Sequence, residues 1–113
     1  LNKKEDNFLD LIPERDCNWG TADDGRIYLQ VPRFRNRWMK KISRRLGKSE
    51  VVKVYFDEIG SRAWSLIDGT SSIAQIGEKM EEEMKEKVEP VYQRLSEFFS
   101  ILARNKFIRF KNL

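Results

Sequence analysis

Residues 51–69 read VVKVYFDEIGSRAWSLIDG, and the fold turns on them. The first six are strong β-formers, and they alternate. Val52, Val54 and Phe56 fall on one face, and Val51, Lys53 and Tyr55 on the other, so residues 51–56 are expected to form a strand with one face packed on helices. Lys53 marks the wetter face, and a lysine on an edge strand discourages unwanted pairing. At Asp57 the period changes to 3.6. Ile59, Ala63, Trp64, Leu66 and Ile67 give a helix a wide apolar side, Asp57 suits its N-cap, and Asp68-Gly69 stops it.

The pattern continues downstream. Ser72 and Gln75 have capping-box spacing, and Ile73, Ile76, Gly77, Met80 and Met84 form the stripe of a second helix. Pro90 suits the first position of a third helix, whose buried side is Val91, Tyr92, Leu95, Phe98, Phe99 and Leu102. Asn105 stops it, and residues 108–110 suit a short strand.

Upstream, residues 7–12 suit a helical turn that Pro13 ends. Residues 18–23 and 26–31 flank Asp24-Gly25, which reads as a hairpin with a two-residue turn. Ile27, Leu29 and Val31 share one face of the second strand. Residues 36–47 read as a basic amphipathic helix, with Trp38, Met39, Ile42 and Leu46 on one side and Gly47 as its stop. The order predicts an α+β domain of winged-helix-like form, with N-terminal β-strands packed on a three-helix bundle.

Composition narrows the chemistry. The 113 residues suffice for one modest core, and 35% are charged. There is no histidine and one cysteine, Cys17, which removes Cys/His zinc sites, His-dependent nucleophiles and an internal disulfide framework. No glycine-rich phosphate loop and no metal-ligand set stands out, so no cofactor is expected. Cys17 lacks a histidine partner and reads as a bystander. A reducing, cytoplasmic compartment fits this cysteine usage, and no apolar run is long enough to span a bilayer. The chain opens at Leu1 rather than Met, which leaves open whether residues precede it.

Charge is uneven. Residues 33–53 carry nine Lys/Arg against one acid, Glu50, whereas the whole chain is only +4. Residues 78–89 carry six Glu against three Lys. The basic helix has three readings: a solvated face, a dock for an acidic peptide or partner enzyme, or a contact for nucleic acid or an anionic membrane. Arg37, Lys40, Lys41, Arg44 and Arg45 are its candidate docking residues.

Residues 54–108 carry a resemblance. Its marks are the strand leading into Asp57-Glu58-Ile59-Gly60, the stretch from Trp64 to Asp68-Gly69, the start Ser72-Ile73-x-x-Ile76, and the closing Leu102-x-x-Asn105-x-Phe107-Ile108. In this order the segment resembles the PqqD family, small proteins of pyrroloquinoline quinone and ribosomal-peptide biosynthesis. The resemblance implies a non-catalytic peptide chaperone. It would bind the leader of a precursor peptide and present it to a modifying enzyme, such as a radical S-adenosylmethionine enzyme. It also implies that the leader adds as a β-strand along residues 51–56, in a groove against the third helix. The candidate peptide-binding residues are then Val51, Val52, Lys53, Val54 and Tyr55, with Tyr92, Leu95 and Phe99 from the helix. Ile101 lies off the main stripe of that helix. On this reading residues 1–16 are an N-terminal arm, and residues 17–113 are a PqqD-like winged-helix domain with the basic helix at about 36–47 inserted.

The alternative is a winged-helix DNA-binding regulator. Its third helix would expose Gln93, Arg94, Ser96, Glu97, Ser100 and Arg104, beside a frankly acidic second helix that phosphates would repel, so nucleic acid fits poorly. An edge strand open to a peptide is also open to another copy of the chain, so a homodimer is a further expectation.

Overall fold

The computed structural model describes residues 8–32 and 51–113. The basic helix expected at 36–47, with Arg37, Lys40, Lys41, Arg44 and Arg45, lies outside the described residues. Among those described, the elements run β1 (Pro13–Arg15), β2 (Asn18–Thr21), β3 (Ile27–Pro32), β4 (Val51–Tyr55), α1 (Glu58–Ser65), α2 (Ile73–Met84), a 3₁₀ turn (Lys85–Val88), α3 (Val91–Arg104) and β5 (Ile108–Phe110). The class is α+β, with the strands in two antiparallel sheets of order β1-β5 and β2-β3-β4.

The helices form where the caps allow. Asp57 accepts the Gly60 amide at 2.8 Å and starts α1. Ser72 and Gln75 close a capping box on α2, their backbone–side-chain bonds measuring 3.2 and 2.8 Å. Pro90 is the N-cap of α3 rather than its first helical residue, and Asn105 ends that helix. Between α1 and α2, the Asp68 carboxylate accepts the Thr70 and Ser71 amides at 2.9 and 2.7 Å.

The hairpin turn differs from the two-residue expectation. The Gly25 amide donates to Ala22 O at 2.9 Å and the Ala22 amide to Arg26 O at 2.8 Å, so the loop is three residues. Gly25, at φ 89°, supplies the left-handed position that follows a tight turn.

Ile27 and Leu29 of β3, Trp64, Ile73, Ile76, Met80, Leu95 and Phe99 build one core between the three-stranded sheet and the helices. The expectation that one face of residues 51–56 packs on helices is corrected, because all five residues of β4 are exposed. It is β3 that lies over α1, and β4 extends the sheet past it. Phe56 alone turns inward, its ring 5.8 Å from that of Trp64 and 5.2 Å from that of Phe98.

Residues 8–16 pack closely on the rest. Pro13 is fully buried, β1 pairs with β5, and the Phe8 ring meets the Phe110 ring edge-on at 5.7 Å. The Ile73 amide donates to Leu11 O at 3.0 Å, which ties this segment to the start of α2. No helix among the described residues is long and apolar enough to cross a membrane.

Candidate functional site

The register of β4 on β3 decides which backbone groups face outward. Val54 stands opposite Leu29 and Val52 opposite Val31, and the Phe56 amide donates to Ile27 O at 2.9 Å. In an antiparallel ladder, bonded and non-bonded pairs alternate. Val52, Val54 and Phe56 therefore point their amides and carbonyls at β3. Those of Lys53 and Tyr55 point away from it, and among the described residues β4 has no strand on that side. The β2 side gives the same parity, since the Ala22–Arg26 bond directs Tyr28 and Gln30 toward β2.

Beside this edge lies an open cleft of about 560 Å³. Phe56, at the end of β4, lines one side, and Leu95, Phe98 and Ile101 of α3 line the other, with Tyr55 and Ile59 of α1 also at the cleft. The Phe56 and Phe98 rings meet edge-on, and Phe98 continues to Phe99 at 5.3 Å, so aromatic contacts join the two sides of the cleft and tie them to the core. Ile101, which lines the cleft, is 52% exposed, and Val54 on β4 is 43% exposed. The mouth is charged, with Asp57, Arg94 and Glu97. The other face of the sheet is aromatic and basic. Tyr28 and Tyr55 rings lie 5.5 Å apart, Lys53 Nζ sits 4.7 Å from the Tyr28 centroid, and Arg26 Cζ 5.5 Å from that of Tyr55.

The candidate residues divide. Val51, Val52, Lys53, Val54 and Tyr55 all lie exposed on β4. Leu95 reaches the cleft from beneath. Tyr92 and Phe99 do not line it. Tyr92 is on the flank of α3 that faces α2, over Gly77, and Phe99 is fully buried in the core. Phe56, Ile59, Phe98 and Ile101 line the cleft without having been singled out for it. The one signal for them was Ile101, an apolar residue off the main stripe.

Outside the cleft, Trp64 and its neighbours pack together. Trp64 is wholly buried, and Trp19 meets it edge-on at 6.3 Å. The Arg15 guanidinium lies 4.7 Å from the Trp19 centroid and donates to Trp64 O at 2.8 Å. Burial, with Asp16 beside it, pushes the Cys17 thiol above its usual range and so away from the reactive thiolate.

The comparisons bear on the same half of the molecule. No curated protein and no solved structure matches the chain. A family model does match: that of Coenzyme PQQ synthesis protein D (PqqD), over residues 50–108, the span from the start of β4 through α3 to the first residue of β5. That span is more than half of the chain and contains both walls of the cleft, and the chain belongs to the PqqD family.

Proposed function

We propose that this chain is a peptide-binding protein with no catalysis of its own, which takes a peptide as an added strand on β4 and presents it to a modifying enzyme. The observation that carries the reading is the pairing of two features. The Lys53 and Tyr55 backbone groups point outward, and the apolar cleft of Phe56, Phe98 and Ile101 runs alongside. Strand addition needs both, because backbone bonds supply affinity and pockets for alternate side chains supply selectivity. Family membership favours the same role. On this reading the domain is winged-helix-like, the peptide is a precursor leader, and the enzyme is of the radical S-adenosylmethionine kind. A protein that holds both peptide and enzyme raises the local substrate concentration without chemistry of its own.

The test is selection of peptides from a displayed random twelve-residue library on the full chain, followed by amide-resolved NMR with an enriched peptide. The reading expects the Lys53 and Tyr55 amides to become protected from exchange, with contacts to the Phe98 and Ile101 side chains. Failure to enrich any peptide, or perturbation centred on another face, would overturn it.

A further inference from the structure

Lys53 is the charged residue of β4, and its side chain stands on the face of the sheet away from the core. We infer that Lys53 selects the charge of the bound peptide: the peptide residue beside it is acidic, and the two residues on the cleft side are apolar. This inference rests on the function proposed above and adds to it the charge that such a peptide carries.

Parity assigns the faces. Residues opposite each other on adjacent strands share a face of the sheet. A peptide strand on the outward side of β4 therefore sets the residues opposite Lys53 and Tyr55 beside those two side chains. The residues opposite Val54 and Phe56 fall on the other face. Val54 belongs to that face because it stands across from the buried Leu29, and Phe56 lines the cleft there with Phe98 and Ile101. Apolar side chains suit both of these peptide positions.

Charge separates the two ends of the edge. The Lys53 ammonium lies 4.7 Å from the Tyr28 centroid, and among the described residues no carboxylate pairs with it. The acids lie toward the other end of β4. Asp57 and Glu97 line the cleft mouth beyond Tyr55, where Arg94 directs its Nε to Glu89 O at 3.1 Å. Asp23 and Asp24 border a hollow with Lys53 and Tyr55, but on the β3 side rather than the peptide side, and Asp24 pairs with Arg26 at 3.1 Å. A carboxylate opposite Lys53 gains an ion pair, whereas a lysine there meets a like charge. A carboxylate opposite Tyr55 stands closer to Asp57 and lacks that gain. In either chain direction the acid is therefore adjacent to one apolar residue and three positions from the other, and it fixes which end of the peptide lies at Lys53.

The test runs the displayed twelve-residue library on the full native chain and on Lys53→Glu, which keeps the outward amide and reverses the side-chain charge. The native chain should enrich Asp or Glu at the stated spacing from two apolar residues. Lys53→Glu should keep the apolar pair and enrich Lys or Arg at the same place. In isothermal titration, replacing the acid of a native-selected peptide by lysine should weaken binding to the native chain about three- to tenfold. The same replacement should leave binding to Lys53→Glu unchanged or tighter, and the contrast should shrink in about 0.5 M salt. Enriched peptides with no charge preference at that position, or an acidic preference that persists in Lys53→Glu, would overturn the role of Lys53 and leave the peptide reading standing. A native chain that enriches no peptide would overturn both.

Discussion

Ser61 Oγ accepts the Ile27 amide at 2.9 Å, a bond between the first turn of α1 and the start of β3. The Ile27 carbonyl accepts the Phe56 amide on the same side, so a helix side chain completes the sheet ladder where β4 has already turned toward α1. Ser61 is the buried polar residue among the described residues, and its removal strands a backbone donor. Ser61→Ala should therefore cost about 1–3 kcal/mol. Urea denaturation of both proteins measures this. A loss under about 0.5 kcal/mol would mean the amide finds another acceptor, such as water.

A second constraint joins α2 to α3. A Cβ added at Gly77 would fall 2.6 Å from Cε1 of Tyr92, closer than side-chain carbons approach. The ring must shift or the helices must part. Gly77→Ala should destabilise by about 1–3 kcal/mol, the usual cost of overpacking. Combined with Tyr92→Ala, most of that cost should vanish, with a coupling above about 0.5 kcal/mol in a double-mutant cycle. Additive effects would show that the clash is absorbed elsewhere.

The turn between α1 and α2 should be acid-sensitive. Backbone donation from Thr70, then from Ser71, holds the Asp68 carboxyl at about 2, below its ordinary 3.8. The native value is depressed, so the stabilisation is complete above about pH 4 and lost as pH falls through about 2. Asp68 is exposed, so the effect is modest. Melting temperatures of the native chain and Asp68→Ala should differ at pH 5 and converge toward pH 2. Parallel curves over that range would show that the ionised form contributes nothing.

The caps were legible because capping is local. Asp57, Ser72 with Gln75, and Asn105 each act within a few residues, and each lies where the sequence predicts. The exposure of β4 was not legible, since VVKVYF suits a covered strand as well as an open one. What separates them is that β3, with Ile27 and Leu29, takes the place over α1. The flanks of α3 were ambiguous for the same reason. Tyr92 and Phe98 both border the buried stripe, and only the position of α2 decides that Tyr92 faces it while Phe98 faces the cleft. The β1–β5 pair escaped notice because Pro13-Glu14-Arg15 has no strand pattern. Its partner, Ile108–Phe110, lies at the far end of the sequence.

Proline scanning of β4 separates the fold from the binding edge. Val54 points its amide at β3, so Val54→Pro removes a ladder bond opposite Leu29 and should weaken the domain itself. Lys53 points its amide outward, so Lys53→Pro should leave the β3–β4 ladder in place and remove a donor that only an added strand uses. The expected outcome is a near-native urea midpoint for Lys53→Pro with at least a tenfold loss of affinity for the library-selected peptide, or about 1.4 kcal/mol. Lys53→Ala controls for the lost ammonium and should keep more of the affinity. Isothermal titration reads the binding and denaturation reads the fold. If Lys53→Pro binds as tightly as Lys53→Ala while remaining folded, the peptide does not pair with this edge, and the cleft against α3 would have to hold it through side chains alone.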